Sequence, residues 1–305
     1  MKILPRHCLL KFVIIFSILN FCLPIYASTK QFQSDAIQKK LAKLEAKSAI
    51  RLGVFAIDTA NNRQIEYRAY ERFPMGCTSK VMGVAAILKK SMTSANFLQK
   101  RITYHKKDIV AWAPITKEHL ARGMTIDELC AAAISFSDNT AMNLLVNQLG
   151  GIQQINSYAR SINDDSFKMD HDWPAEALSN SFDGNDSSTP SAMAISLRKI
   201  ILSDGLARLQ REKLQSWLIS NTTGNARIRA GIPHGWIVGD KTGTGFFYGT
   251  ANDLAIIWPP KCAPIILAIY TTSTKKNAAM RDDVIAAVTR LVVKDFSSSN
   301  QCIRL

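Results

Sequence analysis

A thiol three residues ahead of an amine is the first arrangement in the chain that could do chemistry. Cys77-Thr-Ser-Lys80 opens a run from Thr78 to Ser91 that is rich in Ala, Val and Leu. Residues three apart on a helix share a face, so the Lys80 amine can lie near the Cys77 sulfur. A helix N-terminus and a neighbouring ammonium both favour thiolate over thiol, and the thiolate is the nucleophile. A lone cysteine at a helix start is more often a small buried hydrophobe. Two further motifs shift that balance. Ser137-Asp-Asn139 sits between two helical runs, and Lys241-Thr-Gly243 ends a strand-like run. Taken singly, the first would be an ordinary turn and the second a solvated strand end. Gly243 and Gly245 beside Lys241, however, suggest close approach of the backbone to a ligand. Arg227 adds a planar guanidinium, which suits a carboxylate fork.

The elements that must position these groups follow from periodicity. Phe32, Ile37, Leu41 and Leu44 recur at helical spacing over residues 29–48. Leu52 to Ile57 is one apolar strand, Asn61-Asn62 a turn, and Gln64 to Tyr70 the return strand. The middle of the chain is helical. Thr125-Ile-Asp-Glu128 is a capping box for a helix through Ile134, and Thr140 to Leu149 is a helix stopped by Gly150-Gly151. Ile152 to Ile162 continues the series, and Pro190 stands near the start of a helix reaching about Leu202. Residues 163–188 between them are polar and irregular, and a loop of that length inside a domain is usually functional. Trp236 to Lys241, Asn252 to Trp258 and Pro264 to Thr272 read as strands, and Arg281 to Val293 as an amphipathic helix. Strands at both ends with helices between predict an α/β fold. An antiparallel sheet flanked by helices is built from both chain ends (28–68 and 219–305), and an all-helical domain (69–218) is inserted.

Composition narrows the setting. Hydrophobic residues at 47% and charged ones at 20% are ordinary for a globular protein of 305 residues. Residues 1–27 carry Lys2, Arg6 and Lys11, an apolar run from Phe12 to Leu23, and Ile25-Tyr26-Ala27 as a small-residue cleavage site. This is the pattern of a signal peptide, and it predicts a secreted, periplasmic protein with no stable membrane anchor. The formal charge of +14 would suit anions, but no nucleic-acid module accompanies it. The cysteine spacing fits no metal motif; a Cys262–Cys302 bridge is open to the chain.

The three motifs in this order, Cys77-x-x-Lys80, Ser137-Asp-Asn139 and Lys241-Thr-Gly243, resemble the signature of the class A β-lactamases, with cysteine in the serine's place. Phe73-Pro-Met75, the segment 221–231, Val238 to Gly245 and Ala263 to Tyr270 are similar to the same enzymes. The likeness spans roughly residues 35–295. It implies a β-lactamase that opens the β-lactam amide of penicillins and cephalosporins through a covalent acyl-enzyme. It implies no metal or other cofactor, a small-molecule β-lactam as partner, and a monomer. Cys77 would be the nucleophile, with Lys80 beside it. The N–H groups of Cys77 and Thr244 would form the oxyanion hole. Ser137 resembles the proton shuttle to the leaving nitrogen, and Asn139 a substrate-orienting amide. Lys241, Thr242, Gly243, Thr244 and Arg227 look like the wall that binds the substrate carboxylate.

The chain departs from that family twice. A cysteine nucleophile would give a thioester in a pocket shaped for an ester. In the long loop the family reads roughly Arg-x-Glu-Pro-x-x-Asn, where this chain reads His171-Asp-Trp-Pro-Ala-Glu-Ala-Leu-Ser-Asn180. An ungapped register puts His171, Trp173 and Ala177 at the Arg, Glu and Asn positions, and an indole cannot serve as a general base. A three-residue shift instead gives the base role to Glu176, with Asn180 four residues on; Asp172 is a lesser candidate. The two registers predict different outcomes: turnover, or a penicillin-binding relative that acylates at Cys77 and stalls. In many enzymes of the family it resembles, a disulfide ties the nucleophile helix to the position of Cys130; the resemblance puts Val84 at the partner position, so Cys130 is expected to be a buried free thiol.

Overall fold

Alternating apolar runs at the two ends of the chain meet in one sheet. In the computed structural model, residues 23–178 and 184–305 are described, with side chains from residue 35 onward other than Glu176 and Leu178. The expected signal segment therefore lies largely outside the described residues, as does Asn180. Of the described residues, those up to Ala36 belong to one unit and those from Ile37 to Leu305 to another.

Five strands make the sheet: β1 (Arg51–Asp58), β2 (Arg63–Tyr67), β3 (Ile237–Gly245), β4 (Thr250–Trp258) and β5 (Ile265–Thr272). Their spatial order is β2-β1-β5-β4-β3, with every pair antiparallel. The helices are α1 (Leu23–Ser48), α2 (Lys80–Ser91), α3 (Ile126–Ser135), α4 (Asn139–Leu149), α5 (Gln153–Ser161), α6 (Pro190–Leu202), α7 (Arg208–Ile219) and α8 (Asp282–Ser299). The α/β architecture expected from the sequence is what forms.

Strand periodicity divides the sheet's side chains between two cores. Leu52, Val54 and Ala56 of β1, with Ile265, Leu267 and Ile269 of β5, pack against Ile37 and Leu41 of α1 and Val288, Val292 and Phe296 of α8. Phe55 and Ile57, with Ile266, Ala268 and Tyr270, face the helices between the strands. Burial on both faces explains why β1 and β5 read as continuous apolar runs rather than alternating ones.

Several boundaries differ from expectation. The Lys241-Thr-Gly243 motif does not end its strand; β3 runs on to Gly245, because residues 242–245 stay paired with Thr250 to Asp253 of β4. The return strand β2 stops at Tyr67, and α8 continues to Ser299. Cys262 and Cys302 form a disulfide, joining the β4–β5 turn to the C-terminal segment. Cys130 is buried and unbridged, as expected.

Candidate active site

The turn that carries Cys77 is pressed against strand β3. A 3₁₀ turn, Gly76–Ser79, leads directly into α2. Gly76 has φ +51°, and a Cβ there would lie 2.9 Å from the Thr244 nitrogen. From the opposite side, a Cβ on Gly243 would lie 2.4 Å from the Met75 carbonyl oxygen. Both glycines are thus required by close backbone approach. Asn252 of β4 ties the same turn down, its amide donating to the carbonyls of Pro74 (2.8 Å) and Met75 (3.0 Å). Thr78 Oγ1 donates to the Met75 carbonyl and lies 2.9 Å from the Tyr270 hydroxyl. Cys77 itself is half-buried, with its sulfur 3.9 Å from Asn139 Oδ1.

Lys80, first residue of α2, is fully buried. Its ammonium donates to Asn139 Oδ1 (2.6 Å) and to the Ser137 carbonyl (2.7 Å), with Ser137 Oγ at 3.4 Å. Lys241, equally buried, donates to Ser137 Oγ at 3.0 Å from the other side and to the Thr242 carbonyl. One hydroxyl therefore stands between two buried amines. Burial pushes the Lys241 ammonium down to about 8; the charge of a Cys77 thiolate raises it and that of Lys80 lowers it further.

Ser137 is presented from a left-handed backbone, φ +57°. The residue after it explains how that conformation is held. Asp138 is the N-cap of α4, its carboxylate accepting from the Ala141 N–H, and it also accepts from the N–H groups of Ile115 and Thr116. The middle residue of the Ser-Asp-Asn motif thus fastens the loop before α3 to the start of α4. Asn139 continues the clamp, its Nδ2 donating to the Ala111 carbonyl at 2.8 Å.

Arg227 is almost completely buried behind the end of β3. Its guanidinium donates to the carbonyls of Gly243 and Asn252 (2.8 Å each) and to Thr244 Oγ1 (3.0 Å), and it pairs with Asp282 at 2.8 Å. It holds the threonine hydroxyl and the strand end. Thr242 Oγ1 lies 2.6 Å from Thr223 Oγ1.

The long loop brings Trp173 to this centre. The indole is fully buried, with its ring centroid 5.8 Å from Lys80 Nζ. Trp173 is fixed through its backbone: its N–H donates to Asn143 Oδ1 at 3.1 Å, and Asn143 Nδ2 donates to its carbonyl at 2.7 Å. His171 Nδ1 pairs with the buried Asp186 at 2.6 Å, closing the loop's base. Glu176 sits in the one-turn helix Ala175–Leu178, which touches both the Cys77 turn and β3; its side chain lies outside the described residues.

The structure thus brings Cys77, Lys80, Ser137, Asn139 and Lys241 within contact of one another, with Thr242, Gly243 and Thr244 on the same strand as Lys241 and Arg227 reaching Thr244 Oγ1. The supporting residues Asp138 and Asn252 were not among the candidates. An Asp just before a helical run is a cap signal and could have been found; nothing in the local sequence marks Asn252. Among the described residues no group of three or more His, Cys, Asp or Glu could hold a metal ion.

Known proteins resemble this chain over most of its length. Residues 36–296 match the β-lactamase enzyme family. A β-lactamase of Klebsiella oxytoca is 48% identical over 270 residues, covering 88% of this chain and 91% of that protein. One from Proteus vulgaris is 47% identical over 268 residues, covering 88% and 98%. The crystal structure of a β-lactamase from Desulfarculus baarsii superposes with a TM-score of 0.84 at 44% identity, covering 86% of this chain and 97% of that one. A class A β-lactamase from Mycobacterium abscessus gives 0.83 at 41% identity, covering 86% and 99%.

Proposed function

The chain belongs to the class A β-lactamase family, and on that footing we propose that it hydrolyses the β-lactam amide of penicillins and cephalosporins through a thioester at Cys77. The observation that carries this reading is the Ser137 hydroxyl held between the Lys80 and Lys241 amines, next to a half-buried thiol.

The Cys77 thiolate attacks the lactam carbonyl carbon, and the negative charge moves to the carbonyl oxygen. The N–H groups of Cys77 and Thr244, brought together by Gly76 and Gly243, receive that oxygen. The C–N bond then breaks. The nitrogen takes the Ser137 proton, which Lys241 replaces through its 3.0 Å hydrogen bond. Lys241 and the hydroxyls of Thr242 and Thr244 hold the substrate carboxylate, and Arg227 acts behind Thr244 by fixing its hydroxyl. Asn139 orients the substrate from the Lys80 side. Water then cleaves the thioester and releases the ring-opened acid and the thiol. The water-activating carboxylate in this reading is Glu176, supported by the contact of its turn with the Cys77 turn and β3.

The cleft lies between an α/β domain (28–68 and 219–305) and an inserted helical domain (69–218). The protein acts as a monomer exported to the periplasm. The Cys262–Cys302 bridge supports an oxidising compartment, and no described helix is long and apolar enough to cross a membrane. The test is product analysis with a penicillin plus intact mass spectrometry. Ring-opened product and an adduct on Cys77, both lost in Cys77→Ala, are expected; neither product nor adduct at high enzyme concentration would refute the reading.

A further inference from the structure

The Lys80 amine has nowhere to aim a lone pair. It donates in each of its described hydrogen bonds, to Asn139 Oδ1 (2.6 Å), the Ser137 carbonyl (2.7 Å) and Ser137 Oγ (3.4 Å). Asn139 cannot turn its amide nitrogen toward Lys80, because Nδ2 is committed to the Ala111 carbonyl at 2.8 Å. An ammonium carries three N–H donors and no acceptor, and these oxygens match it. A neutral amine would set its lone pair against one of them.

Trp173 adds to the same bias. The Lys80 ammonium lies over the indole, 5.8 Å from its centroid, and both side chains are fully buried. The negative face of an indole attracts a cation within about 6 Å, most strongly out of water. The indole has no lone pair with which to take a proton from Lys80. Its own Nε1–H finds no acceptor among the described residues. The ring is therefore not held by its polar atom; Asn143 fixes it through the backbone. What it presents to the centre is its face. On the other side of Lys80, the Cys77 sulfur lies 3.9 Å from Asn139 Oδ1, the oxygen that Lys80 grips. Lys241 of β3 also bears on the sulfur and on Lys80, and Glu176 stands on the turn that touches the Cys77 turn.

We propose that Trp173 is a positioning residue that holds Lys80 as a fixed ammonium beside Cys77, so that Lys80 supports the thiolate as a cation and takes no proton during the reaction. The inference rests on the reading of Cys77 as the nucleophile. The thiol proton passes to solvent before attack, the sulfur attacks as thiolate, and Lys80 keeps its own proton throughout.

Alkylation by iodoacetamide tests it without a β-lactam. The reagent is neutral, and the thiolate sulfur displaces iodide from its carbon. Intact mass gives the rate, and peptide mapping assigns the label to Cys77. In the parent chain, the ratio of the rate at about pH 7 to that at about pH 10 should exceed the ratio for N-acetylcysteine at least about tenfold. Equal ratios would overturn the proposal, and this comparison needs no variant. Trp173→Leu removes the ring face and should slow alkylation at about pH 7 by about tenfold, while Trp173→Phe should stay within about threefold of the parent. At about pH 10, where the thiol is ionised in every chain, the three should agree within about twofold. In a Lys80→Gln background, Trp173→Leu should change the rate by less than about twofold, since the ring acts through the ammonium. A Trp173→Leu variant, folded by circular dichroism, that reacts like the parent would sink the idea. So would a loss that persists at about pH 10 or in the Lys80→Gln background, which would mark a merely structural role. Failure of penicillin hydrolysis would leave all these rates standing, and their failure would leave the hydrolytic reading standing.

Discussion

Replacing Trp173 by glutamate should accelerate the second half of the reaction. The indole lies 5.8 Å from the Lys80 ammonium and is the largest fully buried side chain of the described residues. It cannot accept a proton from a water attacking the thioester. A glutamate there would be held by the same two backbone bonds to Asn143, because these involve the N–H and carbonyl of residue 173 and not its side chain. Its carboxylate would face Lys80, which offsets part of the cost of burying it. General-base assistance is worth about 10²–10⁴ in rate, or roughly 3–5 kcal/mol of barrier. Losing the indole costs stability of similar size, about 3–5 kcal/mol for truncation of a buried aromatic. The variant should therefore be assayed in the cold, with circular dichroism confirming the fold. Stopped-flow mixing with a penicillin, followed by quenched intact mass spectra, separates acylation from deacylation. Because Glu176 already serves as base in the proposed reaction, the second carboxylate adds less than the full factor, and the expected result is an adduct that decays about tenfold faster than in the parent, with acylation little changed. Trp173→Ala is the control, since it opens the same space without a carboxylate. If Trp173→Glu is folded and its adduct decays no faster than that of Trp173→Ala, the reasoning about this position is wrong.

Other outcomes follow from single features. Glu176→Gln should slow adduct decay by about 10² or more while leaving adduct formation intact, read in the same experiment; unchanged decay would remove Glu176 from the mechanism. Because the Lys241 ammonium titrates at about 8, the affinity for a carboxylate-bearing substrate should be flat below that pH and fall above it in a pH profile of kcat/KM. The same group binds its proton more weakly folded than unfolded, so its contribution to stability should rise with pH from about 8 towards the ordinary lysine range. The Cys262–Cys302 bridge closes a loop with a sequence separation of 40, and removing it should cost about 4 kcal/mol in denaturant titrations run with and without reductant. Asp186→Ala strips the partner from the N–H groups of Asp170 and His171 and from the His171 ring. A loss of about 2–3 kcal/mol in the same titration is expected.

How much of this was legible beforehand varied with the kind of signal. The capping box at Thr125 was plain in sequence and forms as read, Thr125 Oγ1 accepting from the Glu128 N–H and Glu128 from the Thr125 N–H. The Gly150 stop was equally plain, with φ +99° at the end of α4. Helix α7 was not marked out, since Arg208–Ile219 is mostly polar and buries only Leu214 and Leu218. The three motifs could be aligned on one cleft because each is contiguous in sequence. The distribution of work within the cleft could not. The guanidinium of Arg227, expected in the wall that binds the substrate carboxylate, donates to Thr244 Oγ1 of that wall as well as to strand carbonyls and Asp282. The loop's register turned on whether Trp173 or Glu176 faces Lys80. That is a question of where a chain held at Asn143 and Asp186 must run, and no local pattern encodes it.

The shared hydroxyl at Ser137 suggests how the two halves of the site communicate. Lys241 sits near neutrality because burial and Lys80 oppose its charge while a thiolate at Cys77 supports it. In the proposed reaction, acylation would leave a neutral thioester at Cys77. The support vanishes at the step when the leaving nitrogen needs a proton, and Lys241 becomes a stronger acid through its 3.0 Å bond to Ser137. In the proposed reaction a cysteine nucleophile would thus couple bond formation on one side of Ser137 to proton release on the other. A serine in its place carries no charge before attack. Cys77→Ser should therefore shift the basic limb of the kcat/KM profile below about 8, even where it preserves acylation. A limb that stays put in the serine variant would show that the two events are independent.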